Sequence, residues 1–236
     1  RLPDGLAGSS GALEFNRGII SATSDLVCAY KPNSAFYEAM GPEGCEVLEK
    51  TCRAIPSDIP VILDVKRGDI GNTAEKYALA AYDQIGAHAV TVNPYMGFDA
   101  VKPFLRPGKC VFILCLTSNP SSRDFQMLDT GGMPLYERIA RTAVSWAGEG
   151  EIGLVVGATN PGELRRIREI AGEDMPILIP GVGAQGGDPA LVMAAAGSIP
   201  GRTIVNASRE ILYASSGPEW AEAARKRLHS LRDTLK

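Results

Sequence analysis

Short apolar runs alternate with longer amphipathic stretches along nearly the whole of this 236-residue chain. An apolar run of about four to eight residues is typical of a strand covered on both faces, and a longer periodic stretch is typical of a helix. Strict alternation of the two predicts parallel βαβ units and therefore an α/β fold. The predicted strands are residues 26–31, 61–66, 89–93, 111–116, 153–156, 177–180 and 203–206.

The predicted helices alternate with these strands and also open the chain. The seven strands fall one short of a closed (β/α)8 TIM barrel, an architecture of about 250 residues that suits a chain of this length. Because the chain opens on a helix and lacks an initiator methionine, we expect the first barrel strand to precede residue 1. No linker interrupts the pattern, so we predict a single domain over residues 1–236. The helices are predicted at residues 12–22, 34–54, 72–86, 98–105, 134–147, 161–171, 188–196 and 218–235.

Composition and charge exclude several classes of protein. The 24 Lys and Arg residues are balanced by 27 Asp and Glu residues, whereas a nucleic-acid-binding protein usually carries a basic excess. No apolar run approaches the roughly 20 residues of a membrane span, and the first residues contain no signal-peptide core. We therefore predict a cytoplasmic protein that binds neither nucleic acid nor membrane.

The cysteines and histidines predict no metal centre. The five cysteines are an odd number without a C-x-x-C pair, and the two histidines do not stand at ligand spacing. We expect all five thiols to be reduced. Cys28, Cys110 and Cys115 are predicted to lie in the core because apolar residues flank them.

Polar residues follow the predicted strands, at the end where a parallel barrel collects its catalytic side chains. Lys31 ends the first predicted strand, Asn93 ends the third, and Ser118 follows the fourth. A strand also ends wherever polarity begins, so each of these residues alone is weak support for an active site.

The segment Asp64-Val65-Lys66-Arg67-Gly68-Asp69 is more informative. Asp64 and Lys66 are two residues apart, which places them on one face of a strand. Burying an acid and a base together is costly unless the two groups pair or serve chemistry. The segment therefore predicts catalytic groups, with a structural ion pair at the barrel rim as the alternative.

The glycine-rich run Gly181-Val182-Gly183-Ala184-Gln185-Gly186-Gly187-Asp188 formally matches the dinucleotide fingerprint G-x-G-x-x-G. A dinucleotide-binding half needs more strands after the fingerprint than the one that remains here. Small residues that open a helix after the seventh barrel strand instead favour a phosphate site. Arg209, after the last strand, is a suitable second phosphate ligand, and a plain turn is the alternative for the glycines.

Taken together, these segments resemble the orotidine 5′-phosphate decarboxylase family. The resemblance extends from about Phe15 to Tyr213 and is closest to the branch with the AYKPN and PGVGAQGGD spellings. The D-x-K-x-x-D core is shared with a wider group of sugar-phosphate barrels, whereas the full set of motifs is specific. The motifs are Cys28-Ala29-Tyr30-Lys31-Pro32-Asn33, Asp64-x-Lys66-x-x-Asp69-Ile70-Gly71-Asn72-Thr73, Thr117-Ser118-Asn119-Pro120, Pro180 to Asp188, and Asn206-Ala207-Ser208-Arg209.

The resemblance implies a carboxy-lyase that converts orotidine 5′-monophosphate (OMP) to uridine 5′-monophosphate (UMP) and CO2, the last step of de novo UMP biosynthesis. It implies that no metal or organic cofactor takes part and that Lys66 protonates C6 of the pyrimidine. Asp64 is then expected to flank the substrate carboxylate and hold Lys66, and Lys31 to contact the ribose region. The resemblance also implies a homodimer in which Asp69 and Thr73 reach into the neighbouring subunit's site.

The remaining substrate contacts follow from the same resemblance. Ser118 is expected to bind the pyrimidine ring, and Gln185 and Arg209 to hold the phosphate; Gly183 in the glycine run and Asn93 complete the predicted substrate-binding set. The family also carries an aspartate on its first strand, and no residue here matches it because the sequence begins after that position. The sequence leaves open whether the protein is fused to an orotate phosphoribosyltransferase.

Two other functions stay open at this point. The first is a magnesium-dependent sugar-phosphate decarboxylase or aldol-type synthase of the same barrel group, which places a carboxylate ligand where Lys31 stands here. The second is a non-catalytic protein that binds nucleotide phosphates.

Overall fold

A computed structural model of the chain describes residues 2–183 and 186–235. Within these residues, six strands form one sheet in the order β1-β2-β3-β4-β5-β6. The pairs β3–β4, β4–β5 and β5–β6 are parallel, which confirms the predicted α/β class with a parallel sheet. The strands are β1 (Ile62–Arg67), β2 (Ala89–Val92), β3 (Cys110–Leu116), β4 (Glu151–Val156), β5 (Ile177–Pro180) and β6 (Thr203–Asn206).

Helices occupy most of the chain between the strands. Short 3₁₀ turns lie at Pro94–Met96, Lys102–Phe104, Pro120–Asp124 and Ala147–Glu149, and a π-helical turn at Ala80–Gln84. Among the described residues, no helix is long and apolar enough to cross a membrane. The α-helices are α1 (Gly8–Thr23), α2 (Ser34–Glu38), α3 (Pro42–Arg53), α4 (Gly71–Leu79), α5 (Phe98–Val101), α6 (Leu135–Trp146), α7 (Pro161–Ala171), α8 (Pro189–Ala196), α9 (Arg209–Leu212) and α10 (Trp220–Thr234).

The segment predicted as a strand at 26–31 forms isolated bridges instead of a regular strand. Tyr30 bridges Val61 in parallel, donating its N–H to the Pro60 oxygen and accepting from the Ile62 N–H. The next donor in this register is Pro32, which has no N–H, so the ladder is interrupted there. Six regular strands are therefore found in the described residues, against the seven predicted.

The helix predicted at 34–54 is two helices. Gly41 separates α2 from α3 with a φ of +74°, a backbone conformation that favours glycine. Pro42 then begins α3, where its missing N–H costs no helical hydrogen bond.

The chain forms two compact groups of residues, each with its own packing. The first contains the described residues of 1–65, 79–89 and 208–236. In it α1 packs against α3 and α10, and the rings of Phe15 and Trp220 lie 5.0 Å apart. A side chain at Gly18 would place its Cβ 2.1 Å from the Trp220 ring. Glycine is therefore required where α1 meets α10.

The second group contains residues 66–78 and the described part of 90–207. Its centre is the apolar β3–β5 region, where Ile113, Leu154 and Ile177 have no exposed surface. A Cβ on Gly153 would lie 2.6 Å from the Phe112 ring, so β4 needs glycine at this point. Helices α6, α7 and α8 pack in sequence within this group.

Arg168 is a buried cation in the second group. It lies on α7 with 9% of its surface exposed, and burial lowers the pKa of its guanidinium from the ordinary value. The acceptors of its hydrogen bonds end α7 and α8 and precede β5 and β6, so one side chain joins four chain segments. The donor–acceptor distances are 2.8 to 3.0 Å to the carbonyl oxygens of Gly172, Met175, Ala196 and Arg202.

The cysteine prediction is partly wrong. All five thiols are free, but Cys28 is exposed, whereas Cys52 and Cys115 are buried. Burial raises the pKa of Cys52 and of Cys110 to about 12 and also raises the pKa of Cys115. These three thiols are therefore in their neutral form at physiological pH.

Candidate active site

Lys31 and Asp64 form a nearly buried ion pair. The Lys31 Nζ atom lies 2.6 Å from Asp64 Oδ2, and the two side chains are 12% and 9% exposed. Asn33 Nδ2 also approaches Asp64 Oδ2, at 3.4 Å, and the Asp64 N–H donates to the Pro32 oxygen. Because desolvating two charges is costly, such a pair needs these extra hydrogen bonds and good geometry to persist. The structure thus brings two of the predicted catalytic residues together.

Lys66 has an unusual backbone conformation near the end of β1. Its φ is +46°, and no other non-glycine residue among those described has a positive φ. A non-glycine residue in this region costs about 1–3 kcal/mol, and such residues cluster at functional sites. The Lys66 N–H donates to the hydroxyl of the buried Thr91 at 2.9 Å, which helps to hold the strained conformation. Lys66 is exposed, so a ligand can reach it.

The same φ changes one prediction about β1. Alternation of side chains between two faces requires extended backbone, and Lys66 leaves that region. The two-residue spacing that placed Asp64 and Lys66 on one face therefore does not describe the strand at Lys66.

Asp69 and Thr73 follow β1 within the second group of residues. Asp69 Oδ1 accepts a hydrogen bond from the Ile70 N–H at 2.8 Å, and the residue is half-buried. Thr73 is exposed in the first turn of α4. Ile70, between them, exposes 48% of its surface. The segment therefore offers one carboxylate, one hydroxyl and an apolar side chain at the surface of its own group.

Asn93 caps the short turn that follows β2. Its N–H donates to the Arg67 oxygen at 2.7 Å, and its Oδ1 accepts from the Tyr95 N–H at 3.0 Å. Gly68 packs beside it, because a Cβ there would lie 3.3 Å from Asn93 Cβ. Asn93 is exposed. The side-chain oxygen of Asn93 therefore stabilises the turn, in addition to the predicted substrate contact.

Ser118 lies in a tightly hydrogen-bonded loop after β3. The neighbouring Thr117 donates its N–H to Gln126 Oε1 at 2.8 Å and its hydroxyl to Asn119 Oδ1 at 2.6 Å. Gln126 Nε2 in turn donates to the Thr117 hydroxyl at 2.9 Å. A Cβ on Gly157 would lie 2.8 Å from the Ser118 nitrogen. Ser118 is half-buried, with Gly157 packed against it and a hydrogen-bonded residue before it.

The glycine-rich loop uses its own backbone hydrogen bonds. Gly183 donates to the Gly187 oxygen at 3.0 Å, and Gly186 donates to the Gly183 oxygen at 2.8 Å. The loop then ends at Asp188, whose carboxylate accepts from the Ala190 and Leu191 N–H groups at the start of α8. An acidic cap at this point weakens the attraction of the helix terminus for a phosphate. Gln185 lies outside the described residues.

Arg209 begins α9 and is exposed. The adjacent Glu210 side chain, 10% exposed, accepts from Arg227 of α10 at 2.7 Å. This pair fixes the first turn of α9 against α10 within the first group of residues. Arg209 is thus an exposed cation carried on an anchored turn.

Comparison with known proteins decides the family. Residues 14–225 match the orotidine 5′-phosphate decarboxylase / HUMPS family. The chain belongs to this family. The resemblance stated from the sequence motifs is confirmed.

Individual relatives extend the match to nearly the full chain. An orotidine 5′-phosphate decarboxylase from Herpetosiphon aurantiacus is 54% identical over 96% of this chain and 85% of its own length. The decarboxylase of an Azoarcus species is 49% identical over 100% of this chain and 88% of its own length. The solved structure of Leishmania donovani OMP decarboxylase has a TM-score of 0.86 and 39% identity, covering 97% of this chain and 91% of that one.

Two positions in the candidate site were not found by sequence reasoning. Gln126 lies eight residues beyond Ser118 in a polar segment, and Gly157 directly follows β4. Neither has a local pattern that separates it from an ordinary loop residue. A signal for Gly157 would have been a glycine at a strand end that adjoins a predicted site loop.

Proposed function

We propose that this chain decarboxylates OMP to UMP and CO2, the last step of de novo UMP biosynthesis, with Lys66 as the proton donor to C6. The assignment of this reaction is supported by the 54% identity, over 96% of the chain, to a protein named orotidine 5′-phosphate decarboxylase. The chain is a decarboxylase of this family, a carboxy-lyase. The roles of individual residues are our proposal.

The chemistry explains why charged side chains are needed. When the bond between C6 and the carboxylate carbon breaks, its electron pair stays on C6, where no conjugated group takes up the charge. A fixed ammonium next to C6 stabilises charge that develops only in the transition state, which lowers the barrier. Lys66 then transfers one proton from Nζ to C6 and regains a proton from solvent. Losing CO2 thus requires no oxidant or reductant.

Lys31 and Asp64 are proposed to fix the charges around the reacting bond. Asp64 is proposed to flank the substrate carboxylate and to hold Lys66, and Lys31 to contact the ribose region. The 2.6 Å pair supports this assignment because it immobilises both groups before substrate binds. A divalent metal ion at this carboxylate is disfavoured, since the Lys31 ammonium already neutralises it.

The rest of the substrate is proposed to bind through groups remote from C6. Ser118 binds the pyrimidine ring, Asn93 adds a polar contact, and Gln185, Gly183 and Arg209 hold the phosphate. Binding energy from the phosphate can lower the barrier at C6 when it fixes the reacting group in position. Arg209 on its anchored turn gives the best support for a phosphate ligand among these residues.

The finer description of the fold is also a proposal. We propose that residues 1–236 belong to a single (β/α)8 barrel domain, supported by the parallel pairs from β3 to β6 and by the TM-score of 0.86 to a solved family member. We also propose a cytoplasmic location. Neither nucleic acid nor membrane is proposed as a partner.

The enzyme assay that tests this function follows the absorbance of OMP in the presence of a strong chelator. We expect turnover to continue after exhaustive chelation, with one UMP and one CO2 formed for each OMP consumed. A magnesium-dependent enzyme would lose activity and regain it on adding Mg²⁺. A non-catalytic phosphate-binding protein would bind UMP and release no CO2.

Shared active sites in a homodimer lead to a complementation experiment. Asp69 and Thr73 are proposed to reach into the neighbouring subunit's site. A hybrid of one Lys66→Ala subunit and one Asp69→Ala subunit then contains one site in which both residues are intact. Mixing the two inactive dimers in equal amounts is expected to restore about one quarter of wild-type activity once subunits exchange. Exchange is verified by native mass spectrometry, and full exchange without recovered activity would exclude shared sites.

A further inference from the structure

The side chain of Gln126 holds the loop that carries Ser118. Its Oε1 accepts from the Thr117 N–H at 2.8 Å, and its Nε2 donates to the Thr117 hydroxyl at 2.9 Å. That hydroxyl has a single proton, which it donates to Asn119 Oδ1 at 2.6 Å. A chain of hydrogen bonds therefore runs from Gln126 through Thr117 to Asn119, and each bond polarises the next. Thr117 and Asn119, two members of this chain, directly precede and follow Ser118 in the sequence.

Gln126 is itself fixed to the protein. Its N–H donates to the Ser122 oxygen at 2.8 Å, and its own carbonyl accepts from the Tyr136 N–H at 3.0 Å. Ser122 is buried, and Tyr136 lies in α6 with 6% of its surface exposed. The Gln126 backbone is therefore anchored at both sides, so its amide group is a fixed attachment point for the Thr117 loop.

Gly157 packs closely against the same loop. A Cβ at this position would lie 2.8 Å from the Ser118 nitrogen and 2.9 Å from Ser118 Cβ. The Gly157 N–H also donates to the Leu116 oxygen at 2.8 Å. Ser118 is thus packed against Gly157, and the residue before it is bonded to Gln126.

We propose that Gln126 is a positioning residue that sets the affinity for the pyrimidine base by holding Ser118 in place. The proposal rests on the proposed function, in which Ser118 contacts the base. Both polar atoms of the Gln126 amide bind Thr117, so Gln126 acts through the loop. A group held in its binding geometry loses less entropy when the ligand arrives, which strengthens binding. The effect is confined to the base, because the phosphate contacts come from other segments.

The experiment compares a ligand with a base and a ligand without one. UMP and ribose 5-phosphate are titrated calorimetrically against wild type and Gln126→Met, which keeps the side-chain length and removes both hydrogen bonds. We expect UMP affinity to fall about tenfold and ribose 5-phosphate affinity to change less than about twofold. For OMP turnover, KM is expected to rise more than kcat falls. A merely structural role would weaken both ligands equally.

Three variants provide controls. Gln84→Met changes an exposed glutamine in the π-helical turn and is expected to leave both affinities unchanged. Arg209→Ala is expected to weaken UMP and ribose 5-phosphate alike, which shows that the base-free ligand reports on the phosphate site. Should Gln126→Met fail to fold, Gln126→Glu keeps an acceptor for the Thr117 N–H. Gln126→Glu is then expected to lower UMP affinity by less than about tenfold and to leave ribose 5-phosphate affinity unchanged.

Ser118→Ala separates failure of this inference from failure of the proposed function. If Ser118→Ala weakens UMP and Gln126→Met does not, the inference is wrong and the role of Ser118 stands. If Ser118→Ala leaves UMP binding unchanged, the role of Ser118 is wrong, and the inference is overturned with it. If both variants weaken UMP, the double variant is expected to lose no more than Ser118→Ala alone. Additive losses would show that Gln126 acts by another route.

Discussion

Replacing Lys66 with alanine is expected to lower kcat for OMP by at least several orders of magnitude. The substitution removes both the proton for C6 and the positive charge that stabilises the ring anion. Removing one preorganised hydrogen-bond donor from a transition state costs about 100- to 1,000-fold, and Lys66 supplies a full charge in addition. The rate is measured under single-turnover conditions with saturating OMP, so that the result reports the chemical step and not product release.

Two further variants give that result its meaning. Lys76→Ala changes an exposed lysine in α4, on the same segment of chain, and is expected to retain wild-type activity. Lys66→Arg keeps a positive charge but gives up a proton far less readily, so it is expected to remain strongly impaired. Circular dichroism and UMP binding verify that each variant is folded. A loss below about tenfold for Lys66→Ala would contradict the proton-donor role.

Arg168→Ala is expected to lower the free energy of unfolding by about 3–5 kcal/mol. The substitution removes the guanidinium hydrogen bonds to four backbone carbonyl groups and opens a space beneath α7; among these groups, the Arg202 oxygen still accepts from the Ile177 N–H. The acceptors belong to the ends of α7 and α8 and to the residues before β5 and β6. The substitution therefore removes hydrogen bonds from four chain segments at once. Urea unfolding followed by circular dichroism measures the difference.

Arg165→Ala is the matched control for this measurement. Arg165 lies on the same helix, α7, but is exposed, and its replacement is expected to change stability by less than about 0.5 kcal/mol. Arg168→Lys keeps the charge but cannot reach all four oxygens, so an intermediate loss is expected. A change below about 1 kcal/mol for Arg168→Ala would show that water replaces the guanidinium at little cost.

Local signals in the sequence were sufficient for several elements. Helix α7 covers Pro161–Ala171, the predicted range, because proline suits a first turn and Gly172 follows with a φ of +70°, which favours glycine. Asp188 caps α8 at the residue where this helix was predicted to begin. Pro32 shows the opposite case. It interrupts the hydrogen bonds between its own segment and β1, and that effect depends on a pairing register that the local sequence does not reveal.

The site residues divide in the same way. The motif around Asp64 and Lys66 is contiguous and was visible, whereas Lys31 and Asp64 stand 33 residues apart, so no local pattern could indicate that they pair. The left-handed backbone of Lys66 had no signal, because lysine does not favour that region. Arg168 had a weak signal that was missed. It follows Leu164 and Ile167 on the buried face of α7, at the spacing of an apolar stripe.

The strained lysine also bears on how this protein can be made more heat-resistant. Glycine adopts a φ of +46° without penalty, so a change at Lys66 that relaxes the backbone would also remove the amine proposed to protonate C6. Thermal stability and the proposed catalytic activity therefore place opposite demands on this position. Laboratory selection for thermal tolerance alone would favour replacing Lys66 at the expense of the proposed activity. Stabilising substitutions are better sought at exposed helical positions distant from β1.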